Sequence, residues 1–188
     1  MGKNNKSIIV RAAYDSFVEN GYDNSSIKMI AERAAVSKGN IYNFFDSKEL
    51  LFDDVLRMVQ DNFKAKMIAV ANEYKDASVE ECINGFADAM LENREEAVFM
   101  ISSALMPKLR GRTGPLLKEY SDGMIEVMNP LFPGLPEEVL YDIGNLLLAV
   151  TDSLLIDGDR ERAVRSGVFA VKLLLGSLDD TAQVKKGV

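Results

Sequence analysis

Residues 25–48 read SSIKMIAERAAVSKGNIYNFFDSK, and this stretch decides the fold. Apolar side chains recur in it at helical spacing, at Ile27, Ile30 and Ala31. This spacing predicts a short helix that buries one face. Ser25 or Ser26 is suited to cap its start, because a serine oxygen accepts backbone N–H groups that a helix start leaves unpaired. A turn of small apolar residues and a second capping serine, Ser37, follow, so we predict two short helices joined by a tight turn.

The second predicted helix, Lys38–Phe45, has two faces of different chemistry. Its inner face carries Ile41, Phe44 and Phe45, and its opposite face carries Lys38, Gly39, Tyr42 and Asn43. The members of each set lie three and four residues apart, so each set shares one side of the helix. A cation, a glycine, a phenol and an amide suit contact with a polyanion, and the glycine lets the helix approach a groove closely. We therefore predict a helix-turn-helix that enters the major groove of DNA.

These residues resemble the DNA-binding domain of the tetracycline-repressor (TetR) family of bacterial regulators. The resembling residues run in the family's order and spacing over the first quarter of the chain: Ala12, Ala13, Phe17, Gly21, Tyr22, Ser26, Ile30, Ala31, Val36, Ser37, Lys38, Gly39, Ile41, Tyr42, Phe45, Ser47, Lys48 and Glu49. Two positions depart from the family pattern. Ala35 stands where the turn usually carries glycine, and Met29 stands where an acidic residue often completes a capping box.

Beyond residue 47 the chain repeats helical patterns without any strand signal. The pattern runs without proline or glycine from Ser47 to about Tyr74, and a helix of about 27 residues would span about 40 Å. This helix is either a mechanical link between head and body or a plain long helix of the bundle. We predict an all-α protein of about nine helices, with an N-terminal three-helix helix-turn-helix domain joined by the long helix to a C-terminal helical bundle. The expected domains are a DNA-binding domain, 1–47, and a ligand-binding and dimerisation domain, 48–188.

The charge of the chain is divided unevenly between these two parts. The net charge is −7, yet residues 1–50 carry seven Lys/Arg against six Asp/Glu, and residues 51–188 carry fifteen against twenty-three. Phosphate would repel the acidic body and leave the head as the part that meets DNA. Because the head is only faintly basic, its affinity must come from a few placed contacts.

Composition argues against an enzyme. The chain has no histidine, which excludes Ser-His-Asp and Cys-His catalysis and leaves zinc without its commonest protein ligand. The single cysteine, Cys82, excludes an intramolecular disulfide and fits a reducing cytosol. Adjacent acidic residues point in different directions round a helix, so they are solvated rather than catalytic pairs. We predict no catalytic residues, no metal and no cofactor, and, without a long uninterrupted apolar run or a signal peptide, a cytoplasmic protein with no membrane partner.

The predicted DNA contacts divide into base and backbone contacts. Base edges are assigned to Lys38, Gly39 and Asn43, with Asn43 able to pair with adenine and Lys38 with guanine. Backbone phosphates are assigned to Ser26, Asn40, Tyr42 and Lys48, and Ser37 belongs to the same surface. The expected partner is double-stranded DNA with a palindromic operator.

The last two predicted helices are apolar nearly all round, which indicates burial on several sides. In the TetR family the last two long helices pack against their copies as a four-helix dimer interface. The resemblance therefore implies a homodimer that uses Leu147, Val150, Leu154, Val164, Val168, Val171 and Leu175. The alternative is that these are simply the central helices of the body.

Six of the nine methionines lie between positions 67 and 128, interleaved with aromatic residues. Methionine adapts its shape and can line an apolar cavity, although ordinary helix core explains any single residue equally well. The resemblance implies an effector pocket here, formed by Phe86, Met90, Phe99, Met100, Met106, Tyr120, Met124 and Met128. The expected function is a repressor released from its operator by a small hydrophobic or amphipathic effector. The alternative is a helical protein-interaction module without DNA or ligand function.

Overall fold

The structure is a computed structural model that describes the backbone of residues 2–184 and the side chains of residues 5–109, 111–150, 154–156 and 158–176. Over this range the chain is all-α, without a strand, which confirms the predicted fold class. The helices are α1 (Gly2–Asn20), α2 (Ile27–Arg33), α3 (Lys38–Tyr42), α4 (Lys48–Glu73), α5 (Val79–Glu92), α6 (Arg94–Leu105), α7 (Arg110–Asp122), α8 (Met124–Met128), α9 (Glu137–Asp157) and α10 (Arg160–Val184).

Residues up to Asn62, together with Phe99–Leu117, form one compact unit, which we call the head unit. Its predicted core is confirmed, because Phe17, Ile30, Ile41 and Phe45 are all buried. The domain boundary predicted between residues 47 and 48 falls inside this unit, since the first half of α4 contributes Leu51, Phe52, Val55 and Leu56 to the same core.

An aromatic cluster ties the first half of α4 to the rest of the head unit. The ring of Phe52 lies 5.5 Å from Phe17, 5.1 Å from Tyr22 and 5.8 Å from Phe99, centroid to centroid. Phe99 in turn meets the edge of Tyr14 at 5.2 Å. Offset and edge-to-face pairs at these distances add to the stability gained from burial alone. A residue of α6 is thereby part of the head core.

The stretch 107–115 has the glycines and prolines typical of a loop, but it is a 3₁₀ turn at Pro107–Leu109 followed by the start of α7. Leu109, Thr113 and Leu116 are buried at helical spacing, and the Thr113 hydroxyl donates to the Leu109 carbonyl at 3.2 Å. Tertiary contacts override the glycine and proline signals here. Arg112 pairs with Asp53 on α4, and the Gln60 amide donates to the Leu116 carbonyl at 3.3 Å.

Gly123 separates α7 from α8, which accounts for one helix more, among the described residues, than the expected nine. These helices also divide between the two compact units. The second unit, which we call the body unit, consists of Phe63–Val98 and the chain from Lys118 onward. The predicted domain 48–188 extends beyond it, and its last four positions lie outside the described residues.

Helices of the body unit approach one another closely at small residues. In α5 the face of Cys82, Ile83, Phe86 and Met90 is buried as predicted. α10 packs against α5 and α9, and α9 packs against α8. A Cβ on Gly167 would lie 3.3 Å from both Ile83 and Val150, which is tighter than most Cβ contacts, so the lack of a side chain here eases the close approach of the helices. The body core therefore depends on close helix approach as well as on apolar area.

One helix of the body unit, α9, is unusually apolar. Its segment Glu137–Ile156 is long and apolar enough, by length and composition alone, to cross a membrane. A central helix of a folded bundle meets the same criterion. Leu140, Ile143 and Leu154 of this helix are buried within the body unit, as in such a central helix.

Candidate functional site

The start of each helix in the helix-turn-helix is capped by a serine. The Ser26 hydroxyl accepts the backbone N–H of Met29 at 3.2 Å, and the Ser37 hydroxyl accepts that of Asn40 at 3.1 Å. Each bond satisfies one of the N–H groups that a helix start leaves unpaired. Of the two candidate serines, Ser26 is therefore the cap of α2. Its neighbour Ser25 is buried, and the Ser25 hydroxyl donates to the Ser16 carbonyl at 2.8 Å.

The turn between α2 and α3 places Ala35 in the left-handed region, at φ 54°. The Val36 N–H donates to the Ala31 carbonyl at 3.0 Å, and the Ala35 N–H donates to the Glu32 carbonyl at 3.2 Å. This pair of bonds is the Schellman motif that ends many helices, and its left-handed position is usually glycine. Ala35 therefore carries backbone strain at the turn that orients α3.

The recognition helix α3 is shorter than predicted, ending at Tyr42 with Asn43 as its C-cap. Ile41 is fully buried beneath it, whereas Lys38, Gly39 and Asn43 are exposed and Tyr42 is 52% exposed. The four predicted outer residues thus form one exposed surface, which we call the α3 surface. Asn40 differs from the prediction, because its side chain is half-buried and its Oδ1 atom is buried without a hydrogen-bond donor.

Among the basic side chains described between residues 5 and 50, Lys38 is the exception in having no acceptor within the described chain. The others have partners: Lys6 pairs with Asp54, Arg11 with Asp15, Lys28 with Glu32 and Arg33 with Glu19, while Lys48 bonds to backbone carbonyls. Among these described side chains, the positive charge that is left uncompensated therefore lies on the α3 surface.

Lys48, which is predicted to contact a phosphate, makes contacts within the head unit instead of standing free on its surface. Its ammonium donates to the carbonyls of Tyr22 at 2.8 Å and Ser25 at 2.9 Å, and it stands 4.2 Å from the centre of the Tyr22 ring. The sequence gives no signal for these contacts, because they join residues more than twenty positions apart.

The body unit contains an apolar cavity of about 30 Å³. Five of the residues predicted for an effector pocket line it: Phe86, Met90, Tyr120, Met124 and Met128. The remaining lining residues are Phe63, Met67, Val127, Gly144, Leu147 and Leu148. Of these, Phe63 and Met67 lie one turn apart on the inner face of α4, so the periodicity of that helix could have identified them.

Phe99, Met100 and Met106, the other three predicted pocket residues, do not line this cavity. They belong to the stretch that joins the head unit, where Phe99 and Met100 are buried. Proximity along the sequence grouped them with the pocket, but the chain changes from one unit to the other within α6.

The residues predicted for a dimer interface are mostly inside the chain's own body unit. Leu147, Leu154, Val164 and Val171 are buried there, and Val150, Val168 and Leu175 are half-buried. Their burial is satisfied by neighbouring helices of the same chain. Among the described side chains of the same two helices, the large apolar ones that are exposed are Ile156, Phe169 and Leu173, at 76%, 68% and 64%.

Residues 9–55 match the family model described as bacterial regulatory proteins, tetR family. The HTH-type transcriptional regulator RutR of Escherichia coli (strain K12) is 37% identical over 79 residues, which are 42% of this chain and 37% of RutR. The match thus spans a little over a third of that relative's length. Such relatives are transcriptional regulators, which agrees with the prediction that the chain is not an enzyme.

Solved structures resemble the chain over almost its whole length. A transcriptional regulator from Rhodococcus sp. Rha1 has a TM-score of 0.71 at 18% identity, covering 92% of this chain and 96% of that one. The transcriptional regulator FadR from Bacillus subtilis, in complex with stearoyl-CoA, has a TM-score of 0.59 at 20% identity, covering 89% and 96%. At such identities the likeness establishes the fold. The match to the tetR family model covers residues 9–55 and assigns the helix-turn-helix of the chain to that family.

Proposed function

We propose that the chain is a DNA-binding transcriptional regulator that reads the major groove with its α3 surface. The observation that carries the proposal is the Lys38 ammonium, which is exposed on α3 and, among the basic side chains described in residues 5–50, is the one without an acceptor in the described chain. Cations that meet phosphate or base acceptors release counterions, and that release drives binding to nucleic acid. The exposed side chains of Lys38, Tyr42 and Asn43 are available to a partner outside the chain, since they do not contribute to the head core.

Gly39 supports the same surface. Glycine in a helix costs roughly 0.5–1 kcal/mol relative to alanine. Nothing inside the chain requires it, because a Cβ at this position would meet only the Ser37 hydroxyl oxygen, at an unstrained 3.8 Å. A small residue that the protein itself does not need is explained by an external body that approaches the helix backbone.

Within this proposal Lys38, Gly39 and Asn43 face base edges, and Tyr42 meets a phosphate together with the hydroxyls of Ser26 and Ser37. Both hydroxyls already accept a backbone N–H and keep their own hydrogen to donate. Phosphate contacts position the protein, while base contacts give it specificity.

The test is to select duplexes from a random pool with the purified chain, and then to compare Lys38→Met with Lys28→Met on the selected site. Lys28 is an equally exposed lysine on α2 that pairs with Glu32 at 3.8 Å, so it is the matched control. Lys38→Met is expected to weaken binding by about 1–3 kcal/mol and to relax the preference for guanine at the position that Lys38 reads, whereas Lys28→Met should leave both unchanged. A wild-type chain that retains no duplex at low salt overturns the proposal and favours a protein-interaction module.

A small apolar effector is proposed to act at the body cavity. The lining is apolar and rich in methionine, whose flexible side chains can repack around a guest. Its present volume of about 30 Å³ is far below the roughly 300–1,000 Å³ of ordinary ligand sites, so a ligand must displace those side chains. A protein of the same fold has been crystallised with stearoyl-CoA, which supports a hydrophobic or amphipathic ligand.

We propose that the chain represses transcription in the cytoplasm and that the effector relieves this repression. One helix, α4, carries Phe63 and Met67 of the cavity as well as Leu51 and Phe52 of the head core. A ligand that favours one position of α4 would shift the population of DNA-binding conformations, by a coupling of about 1–3 kcal/mol. Melting curves with a neutral alkanol, a fatty acid and an alkylamine of equal length would identify the class. The ligand that stabilises the chain should also dissociate its DNA complex, and indifference to all three would refute an apolar effector.

We further propose a homodimer on a palindromic operator, because two-fold symmetric half-sites require two heads. The exposed apolar pair Phe169 and Leu173, four residues apart on α10, supports an interface there. The double substitution of both residues by glutamate should give a monomer in sedimentation equilibrium. Leu105→Glu on α6, where the side chain is 76% exposed, is the control and should leave the mass unchanged. A wild-type chain that is monomeric at all concentrations contradicts this proposal.

A further inference from the structure

Lys48 is the first residue of α4, and its side chain reaches back to the segment that connects α1 to α2. The ammonium donates to the Tyr22 carbonyl at 2.8 Å and to the Ser25 carbonyl at 2.9 Å. It also stands 4.2 Å from the centre of the Tyr22 ring, which adds a cation–π attraction. Two of its three N–H groups and its charge are thus engaged within the head unit.

A lysine at this position needs such compensation. Backbone N–H groups give a helix start a partial positive charge, so a cation is disfavoured there. The two carbonyl oxygens and the negative face of the phenol ring supply the opposing charge. Hydrogen bonds from a charged donor are about twice as strong as neutral ones. The arrangement is therefore a built contact between α4 and the connecting segment rather than a side chain awaiting a ligand.

The next residue holds the other end of the same tyrosine. The Tyr22 hydroxyl donates to Glu49 Oε1 at 3.1 Å, and the ring is buried against Phe17 and Phe52. Burial, followed by the Glu49 carboxylate, raises the pKa of the Tyr22 phenol, so it remains a donor at neutral pH. The Glu49 pKa is lowered by its own backbone N–H and by Ser47, so the carboxylate remains an acceptor. Together, Lys48 and Glu49 hold residues 22–25 against the start of α4.

Ser25, whose carbonyl Lys48 binds, directly precedes Ser26, the cap of α2. We propose that Lys48 is a positioning residue for DNA binding: it fixes the connecting segment so that Ser26, α2 and the following α3 are presented together, and it does not itself neutralise a phosphate. This inference rests on the proposed function. It assigns to Lys48 a role different from the phosphate contact expected from the sequence.

The experiment compares Lys48→Met with Lys38→Met on the selected duplex, over a series of salt concentrations and at a temperature well below both melting points. Lys48→Met is expected to lower the melting temperature and to weaken binding at least tenfold, with the slope of log K against log salt unchanged. Lys38→Met should leave the melting temperature unchanged and relax the preference for guanine at the position that Lys38 reads.

Each other outcome overturns the inference in a recognisable way. A Lys48→Met slope that falls by about 0.9 identifies a direct phosphate contact. Wild-type affinity at a lowered melting temperature identifies a purely structural lysine. A wild-type chain that binds no duplex overturns the proposed function, and this inference with it.

Lys48→Arg keeps the test decisive if Lys48→Met does not fold. Arginine preserves the charge, so a phosphate contact would survive, but its longer planar fork does not reproduce the single nitrogen between two carbonyls. Binding that weakens several-fold with an unchanged salt slope supports positioning. Wild-type binding by this variant refutes it.

Discussion

Substitution of Ala35 by glycine should stabilise the head unit. Ala35 ends α2 in the left-handed conformation, at φ 54°, and its side chain is exposed. The Cβ of an L-residue is crowded by the backbone in this region, whereas glycine adopts it readily. The Schellman hydrogen bonds of the turn are made by backbone atoms, so they persist in the variant.

The magnitude follows from two opposing terms. Relief of the left-handed conformation contributes about 1–2 kcal/mol. The greater freedom of glycine in the unfolded chain costs roughly 0.5–1 kcal/mol. Because the exposed methyl group contributes little burial, the free energy of unfolding should rise by about 0.5–1 kcal/mol.

Ala34→Gly is the matched control, one residue earlier. Ala34 is buried and right-handed, at φ −76°. Its substitution loses a buried methyl group and gains chain entropy without relieving strain, so it should destabilise by about 1–2 kcal/mol. Urea unfolding followed by far-UV circular dichroism measures both variants, since the chain has no tryptophan to report by fluorescence. Equal m values would establish that the native and unfolded states are comparable.

The reasoning is refuted if the two variants change the free energy of unfolding in the same direction and by similar amounts. Neighbouring alanines differ here only in backbone conformation and burial. A destabilised Ala35→Gly would mean that the methyl group makes contacts worth more than the strain it imposes.

Three further changes test other parts of the molecule. Gly39→Ala should raise the free energy of unfolding by roughly 0.5–1 kcal/mol, because alanine favours a helix, and should weaken DNA binding. A variant that gains both stability and DNA affinity contradicts the proposed close approach. The stability that depends on Tyr22 should be fully present below about pH 10 and should be lost as the pH rises through the higher pKa of Tyr22 in the folded state. In a series of urea midpoints measured against pH, Tyr22→Phe should flatten that alkaline loss. Gly85→Ala should destabilise by about 1–3 kcal/mol through overpacking, because its Cβ would lie 2.5 Å from the Tyr74 ring; an unchanged melting temperature would show that the ring moves freely.

The sequence predicted local features of the head accurately. Apolar spacing identified the buried positions Phe17, Ile30, Ile41 and Phe45, and serine caps marked where α2 and α3 begin. These features depend on hydrogen bonds and periodicities within a few residues, which the order of residues states directly. The α3 surface could be predicted for the same reason, since the exposed face of a helix is the complement of its buried one.

Long-range partners could not be predicted in the same way. The segment 107–115 reads as a loop by its glycines and prolines, but Asp53 and Gln60, about sixty residues earlier, hold it in a turn and a helix. The division of α6 between two units, which removed Phe99 and Met100 from the expected pocket, likewise depends on Tyr14 and Phe52. Apolar residues on α9 and α10 were assigned to another copy of the chain, because composition alone does not say which neighbour covers them.

Residues that violate a local rule divide into those that the chain compensates and those that it leaves uncompensated. Lys48 is a cation at a helix start, and two backbone carbonyls and an aromatic ring of the same chain compensate its charge. Gly39 is a glycine in a helix with nothing crowding it, and Lys38 is a cation without an acceptor in the described chain. A cost that no internal contact offsets persists only if something outside the molecule offsets it. By that criterion we propose that Lys38 and Gly39 face the DNA, whereas Lys48, although equally basic, serves the fold that presents them.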